Sequence, residues 1–246
     1  MVSLTDFWKI FFIWFINFYS VFIFAVITEV KKNNDMFHFI EQLKNHIERD
    51  TNAVGDDAKI IRFTPNQDDQ YCRFFSLNLT RFNGIYIRES YKRCYDCVLK
   101  QNGKETAYPS NCIITGCTGI GKTFFGYYCM YRFIKDNIGF LYDTGRRYVY
   151  YYDTSTAKVY KISSDDLEDN PELFESCVHI ADGFDFHDNR ETHARVIFIA
   201  SPNRVRRTDT HKTFLQYNMD IWQKNEIIEC NQAFYHVEST SLDELF

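Results

Sequence analysis

Apolar positions fall along this chain in three distinct patterns. The first is a continuous run, Ile10 to Ile27, interrupted only by Asn17 and Ser20. The second is helical spacing. Met36, Phe39, Ile40, Leu43 and Ile47 form one stripe, predicting a helix from Asp35 to about Arg49. Tyr91, Tyr95 and Val98 predict another across Tyr86 to Leu99, after a turn ending at Gly84, and Thr123 to Asn137 predicts a third. The third pattern is short apolar blocks of strand length: Ile60 to Phe63, Phe74 to Leu79, Ile113 and Ile114, Phe140 to Tyr142, Cys177 to Ala181 and Arg195 to Ala200. Tyr148 to Asp153 and Ala157 to Ile162 flank Thr154-Ser155-Thr156 and read as a hairpin. Asp165 to Ser176 reads as an acidic, solvated helix with Pro171 near a turn. Strands that alternate with helices predict an α/β fold, with a mostly parallel sheet of at least three strands and helices on both faces. That sheet should run through Ile113, Val178 and Ile197. The chain divides into a hydrophobic segment (1–34), a helix and short-strand extension (35–84) and the α/β domain (85–246).

One stretch adds chemistry to this pattern. Gly116-Cys117-Thr118-Gly119-Ile120-Gly121-Lys122-Thr123 is G-x-x-x-x-G-K-T, placed between a short apolar block and a helical one. A phosphate chain needs backbone N–H groups turned toward it, so the loop must curl tightly. Gly116 and Gly121 permit the curl, because glycine accepts positive φ without steric cost. The helix that follows aims its N-terminus at the anion. Lys122 would reach the β- and γ-phosphates, and the Thr123 hydroxyl would hold Mg²⁺. With average residue usage the pattern arises by chance in roughly 1 of 100 chains this long.

Two further strand ends extend the candidate site. Cys177-Val178-His179-Ile180-Ala181-Asp182 is an apolar strand ending in an acid, about 60 residues past the loop. A carboxylate there suits the Mg²⁺ shell. The next residue is Gly183, where many ATPases carry a Glu to activate water, and Asp185 is the nearest replacement. Arg195 to Ala200 ends in Ser201-Pro202, so Ser201 is either a γ-phosphate sensor or a turn residue. Arg204, Arg206 and Arg207 follow, as phosphate ligands or as a solvated loop. His179, His187 and His193 lack metal-ligand spacing and read as structural.

Composition narrows the function classes. The chain has 246 residues, 18% aromatic, with a net charge of −5, which argues against a domain that holds nucleic acid through charge. The tyrosines of the hairpin could stack on bases but more often fill strand faces. Of the eight cysteines, Cys112, Cys117 and Cys129 lie in or beside the phosphate loop, and Cys94 and Cys97 form a lone C-x-x-C. Free thiols in a reducing interior are the expectation. Ile10 to Ile27 reaches the lower limit of a membrane span. Lys9 precedes it and Lys31 and Lys32 follow, so a spanning segment would leave the remainder facing the cytosol. A signal peptide and a helix packed on the domain are the other two readings.

Several segments together carry a resemblance. They are I-Y-I-R-E-S-Y-K-R-C-Y-D-C-V-L, C-I-I-T-G-C-T-G-I-G-K-T-F-F-G-Y-Y-C-M-Y-R-F, V-H-I-A-D-G, V-I-F-I-A-S-P, M-D-I-W-Q-K-N-E-I and L-D-E-L-F. In that order they resemble the P-loop NTPase domain of Crinkler effectors and the related retrotransposon-hot-spot proteins, over Ile85 to Phe246. The resemblance implies an AAA-like or STAND-like ATPase fold, in effectors that act inside host cells and commonly in the nucleus. By position it carries over Gly116, Gly121, Lys122 and Thr123 as nucleotide ligands, Asp182 as the Mg²⁺-side acid and Ser201 as a sensor. No L-F-L-A-K-like header stands in the first 60 residues, and the family's helical lid and nuclease-like domain would lie beyond Phe246, so a truncated member is expected.

The function these readings predict is an ATP- or GTP-binding, Mg²⁺-dependent NTPase that hydrolyses slowly. Lys122 and the loop amides from Gly116 to Thr123 would hold phosphates, Thr123 and Asp182 the metal, and Asp185 the attacking water. A protein-interaction module that binds nucleotide without turnover, alone or as a homo-oligomer, is the rival. A phosphoryl transferase is a third reading, with no evident acceptor site.

Overall fold

The structure, a computed structural model, describes residues 28–29, 35–50, 59–63, 84–100, 111–145, 147–183, 194–205 and 214–234. The Ile10–Ile27 run, Phe74–Leu79, Asp185, Arg206, Arg207, His187 and His193 lie outside them. Among the described residues no helix is long and apolar enough to cross a membrane.

In chain order the elements are β1 (Thr28–Glu29), α1 (Asp35–Asp50), β2 (Ile60–Arg62), β3 (Gly84–Tyr86), α2 (Glu89–Lys100), β4 (Asn111–Thr115) and α3 (Lys122–Lys135). They continue with β5 (Phe140–Asp143), β6 (Tyr148–Asp153), β7 (Lys158–Ser163), α4 (Ser164–Asp169), a 3₁₀ turn (Pro171–Phe174), β8 (Val178–Asp182), β9 (Arg195–Ile199), α5 (Pro202–Val205), β10 (Phe214–Asn218) and α6 (Lys224–Phe234). Eight strands form one sheet in the order β1-β7-β6-β5-β8-β9-β4-β10. From β5 to β10 every pairing is parallel, and from β5 back to β1 every pairing is antiparallel. The protein is therefore α/β, with a mostly parallel central sheet flanked by helices. Ile113 stands on β4, Val178 on β8 and Ile197 on β9.

Strand β9 is inserted between β4 and β8, with Cys112 opposite Ile197 and Ile180 opposite the same residue. All five residues of β8 and of β9 are buried, as expected of strands covered on both faces. On one face Ile114, Ile180, Ile197, Ile199 and Tyr142 join the aromatic rows of α3 and the stripes of α1 and α2 in one core. On the other, Ile113, Ala181, Val196 and Phe198 form one cluster, and Leu141, Val149 and Ile162 pack with Leu167 and Phe174 in a second. The hairpin tyrosines pack on protein rings: Tyr152 stacks on Phe140 at 5.2 Å, and Tyr151 meets Phe174 edge-on at 5.3 Å.

Several boundaries differ from the sequence reading. Gly84 opens β3, where a Cβ would run into the Ile61 carbonyl of the antiparallel partner β2, and the residues before it lie outside the described ones. The helix expected from Tyr86 starts at Glu89, because Tyr86 is held in that ladder opposite Ile60. The acidic helix stops at Asp169, where Asn170 leaves helical geometry (φ −135°, ψ 53°) and Pro171 opens the 3₁₀ turn. Strand β10 has no counterpart among the predicted blocks. Its residues are half-buried or exposed along the sheet edge, and Phe214, Leu215 and Tyr217, broken by Gln216, form neither a continuous apolar block nor a strict alternation.

Candidate functional site

The loop between β4 and α3 has the curl its glycines allow. Gly116 (φ +149°), Gly119 (φ +80°) and Gly121 (φ +94°) all adopt left-handed backbone. Cys117, Thr118 and Gly119 are exposed, while Ile120 tucks into the core at 4% exposure. A Cβ on Gly119 would meet nothing within 4 Å, so the loop's outer side is open. Helix α3 begins at Lys122 behind Gly121, with no side-chain cap and no acid in its first turn. Its first N–H groups and its dipole therefore face outward, available to an anion.

Lys122 folds back over the loop, donating from Nζ to the carbonyls of Gly116 (2.7 Å) and Cys117 (2.8 Å). Burial lowers its pKa, while Cys117 and Asp182 oppose the shift. At the second residue of the helix, Thr123 Oγ1 lies 3.5 Å from Asp182 Oδ1. Asp182 ends β8, 59 residues away, and is 9% exposed. Its other oxygen, Oδ2, accepts from the Tyr142 hydroxyl at 3.4 Å. Gly183, the following residue, has φ +86° and donates its N–H to Ile199 (3.2 Å). Ser201 is half-buried just beyond the end of β9, between the strands that carry the loop and Asp182. Ala200 donates to Ile114, which seats that strand end against β4. Gly116 to Thr123, Asp182 and Ser201 thus share the C-terminal edge of the parallel strands.

Behind the loop stands a network that sequence reasoning did not single out. Arg88 is 1% exposed, and its guanidinium donates to Ile120 O (2.8 Å), Asp220 O (3.1 Å) and Ile221 O (2.8 Å). It also donates to Glu226 Oε2 from two nitrogens, at 3.2 and 2.9 Å, and lies 4.3 Å from the Trp222 ring centroid. Tyr91 donates to Gly121 O at 2.9 Å and occupies the space a Gly121 side chain would need. Arg88 and Tyr91 sit one turn apart at the start of α2, which the quoted I-Y-I-R-E-S-Y segment contains. Glu226, 138 residues on, carries no local signal that pairs it with Arg88.

The remaining candidates fall elsewhere. His179 is fully buried on the far face of the sheet, with Nε2 3.6 Å from Asp143 Oδ2. Burial pushes the Cys112 thiol up to about 12 and Cys94 up to about 11, so both stay protonated and act as packing groups. No group of three or more metal-ligating side chains occurs among the described residues. No family model matches the chain, and no curated protein matches it at a significant level.

Proposed function

We propose that this protein binds a nucleoside triphosphate with Mg²⁺ at the β4–α3 loop, as a P-loop NTPase of the AAA-like or STAND-like kind. The observation that carries the reading is the meeting of Thr123 and Asp182 at 3.5 Å, although they come from different elements 59 residues apart. A hydroxyl at the start of the loop helix and a carboxylate on a neighbouring strand are the pair a phosphate-bound Mg²⁺ requires. The uncapped helix start and the open outer side of the loop fit the phosphates themselves. Lys122 holds loop carbonyls that a γ-phosphate would replace as its partner. Ser201 lies at the end of the inserted strand, where a sensor of that phosphate belongs. The strand order, with β9 between the loop strand and the acid strand, supports the same class. Membership in the Crinkler and retrotransposon-hot-spot group, and an effector role, remain proposals that rest on the motif order.

Hydrolysis is slow in this reading, well below the roughly 1–100 s⁻¹ typical of kinases. Gly183 stands where a water-activating Glu would be, in backbone that favours glycine. That same observation favours a second reading, a switch that binds nucleotide and presents a surface to a partner. Single-turnover assays with ATP and GTP separate the two.

Lys122→Ala tests the site. Loss of a charge-assisted contact should lower Mg·ATP or Mg·GTP affinity by about 10- to 100-fold, with the fold retained in thermal unfolding, since the ammonium meets only the loop carbonyls of Gly116 and Cys117. Equal affinity in both proteins would remove the phosphate-loop reading.

A further inference from the structure

Asp182 is held from two sides. Thr123 meets one oxygen and Tyr142 donates to the other, at 3.4 Å. Tyr142 is the penultimate residue of the neighbouring strand β5, is 1% exposed, and pairs in register with Ile180, two residues before Asp182. Its hydroxyl also shares a hydrogen bond with Tyr127, one turn further along α3 than Thr123. The proton count sets the direction. Tyr142 has one proton and gives it to the carboxylate, so Tyr127 is the donor to Tyr142. Burial raises both phenols above their ordinary range, with the Asp182 charge adding to each shift. The chain Tyr127, Tyr142, Asp182 therefore starts on the loop helix and ends on the acid, closing a ring through Thr123.

We propose that Tyr142, backed by Tyr127, is a positioning residue that fixes the Asp182 carboxylate in the orientation which receives Mg²⁺. The proposal rests on the nucleotide reading above. A phenol bonded to Oδ2 leaves Oδ1 turned toward Thr123, where the metal and the β/γ-phosphates would meet. Without it the carboxylate rotates about χ2 and presents either oxygen. Outer hydrogen bonds of this kind typically change metal affinity by about 10- to 100-fold. Phosphate contacts made by the loop amides and Lys122 do not pass through Tyr142, so they survive its loss.

The test is a titration of Mg²⁺ against a fluorescent ATP or GTP analogue, in wild type and Tyr142→Phe, with an EDTA arm. Tyr142→Phe keeps the ring and removes only the hydroxyl. The expected result is a roughly tenfold rise in the half-saturating Mg²⁺ concentration, with affinity in EDTA unchanged. A merely structural role would lower affinity in both arms. Half-saturating Mg²⁺ within twofold of wild type, or an equal loss in EDTA, overturns the positioning role alone. A wild-type protein that binds no nucleotide at any Mg²⁺ concentration overturns the nucleotide reading, and this inference with it. Should Tyr142→Phe not fold, Tyr127→Phe carries the test. It leaves the Asp182 contact but removes its support, and a rise of about two- to fivefold in half-saturating Mg²⁺ is expected, scaled down from the direct contact. No rise in that variant overturns the proposal.

Discussion

The two halves of the sheet differ in what their strand ends can do. In the parallel half, β8 and β9 bury all five residues, and their C-terminal ends open on one edge together with that of β4. In the antiparallel half, β6 and β7 bury only two of six residues each. Neighbouring strands there run in opposite directions, so their C-termini never share an edge. Polar groups are satisfied locally: Asp153 accepts from the Ser155 amide (2.9 Å), the Ser155 hydroxyl and the Thr156 hydroxyl (2.7 Å) within one turn. In the parallel half the polar groups find partners 59 or 138 residues away. Long crossovers gather distant residues at one edge, and that edge is where a site can be built.

The contrast can be broken by mutation, and the largest effect should come from Arg88. Arg88→Ala takes the guanidinium from three carbonyls and from Glu226, which keeps only the Gln223 N–H, and removal of one partner of a buried pair costs about 3–5 kcal/mol. Urea unfolding measures it, and a loss below about 1 kcal/mol would deny that the network holds the loop. Next, Ile180→Ala in the fully buried parallel half should cost about 2–5 kcal/mol. The exposed hairpin residue Lys158, changed to Ala, should stay within about 0.5 kcal/mol. Similar losses at both positions would erase the distinction between the halves.

A pair of loop glycines sharpens the comparison further. Gly121→Ala meets the Tyr91 hydroxyl as well as a φ of +94°, whereas Gly119→Ala faces only a φ of +80° in open space. Strain of this kind costs about 1–3 kcal/mol. Gly121→Ala should lie at the upper end and also weaken nucleotide binding. If Gly119→Ala were the more damaging in thermal unfolding, the backing by Tyr91 would carry no weight.

The smallest effect belongs to the hairpin. Burial raises the Asp153 pKa, but hydrogen bonds from Thr156 and Ser155 more than offset it, so the carboxyl is held below its ordinary value. A depressed folded-state pKa gives stability that is present above the unfolded value of about 3.9 and lost as pH falls through the folded one. Wild type should therefore melt slightly above Asp153→Asn from pH 7 to 5, with the gap closing below about pH 4. A gap that does not change with pH would assign the difference to packing instead.

The parallel half was also the more legible in sequence. Its central strands must be continuously apolar, and the phosphate loop demands glycine and lysine at fixed spacing, so Gly116 to Thr123 and Asp182 stand out. Edge strand β10 is short and half-buried or exposed, with no period-2 alternation, and gives little signal. Arg88 looks like any charged residue before an amphipathic helix. Its burial is decided by Ile120, Trp222 and Glu226, which no local window contains. Tyr142 reads as one more aromatic in a strand until the register sets it beside Asp182. Ser201 is legible only as a residue after a strand, and its neighbours on β4 and β8 give it meaning.

The reach of Arg88 also bears on the order of assembly. Its contacts close loops of 32, 132, 133 and 138 residues, and contacts so distant in sequence form late in folding. The glycine loop itself is local and can curl early, but Ile120 is tied down only when the 220–226 stretch arrives. On a ribosome, a nascent chain would therefore hold the complete phosphate motif for the synthesis of about a hundred further residues before the motif acquires its backing.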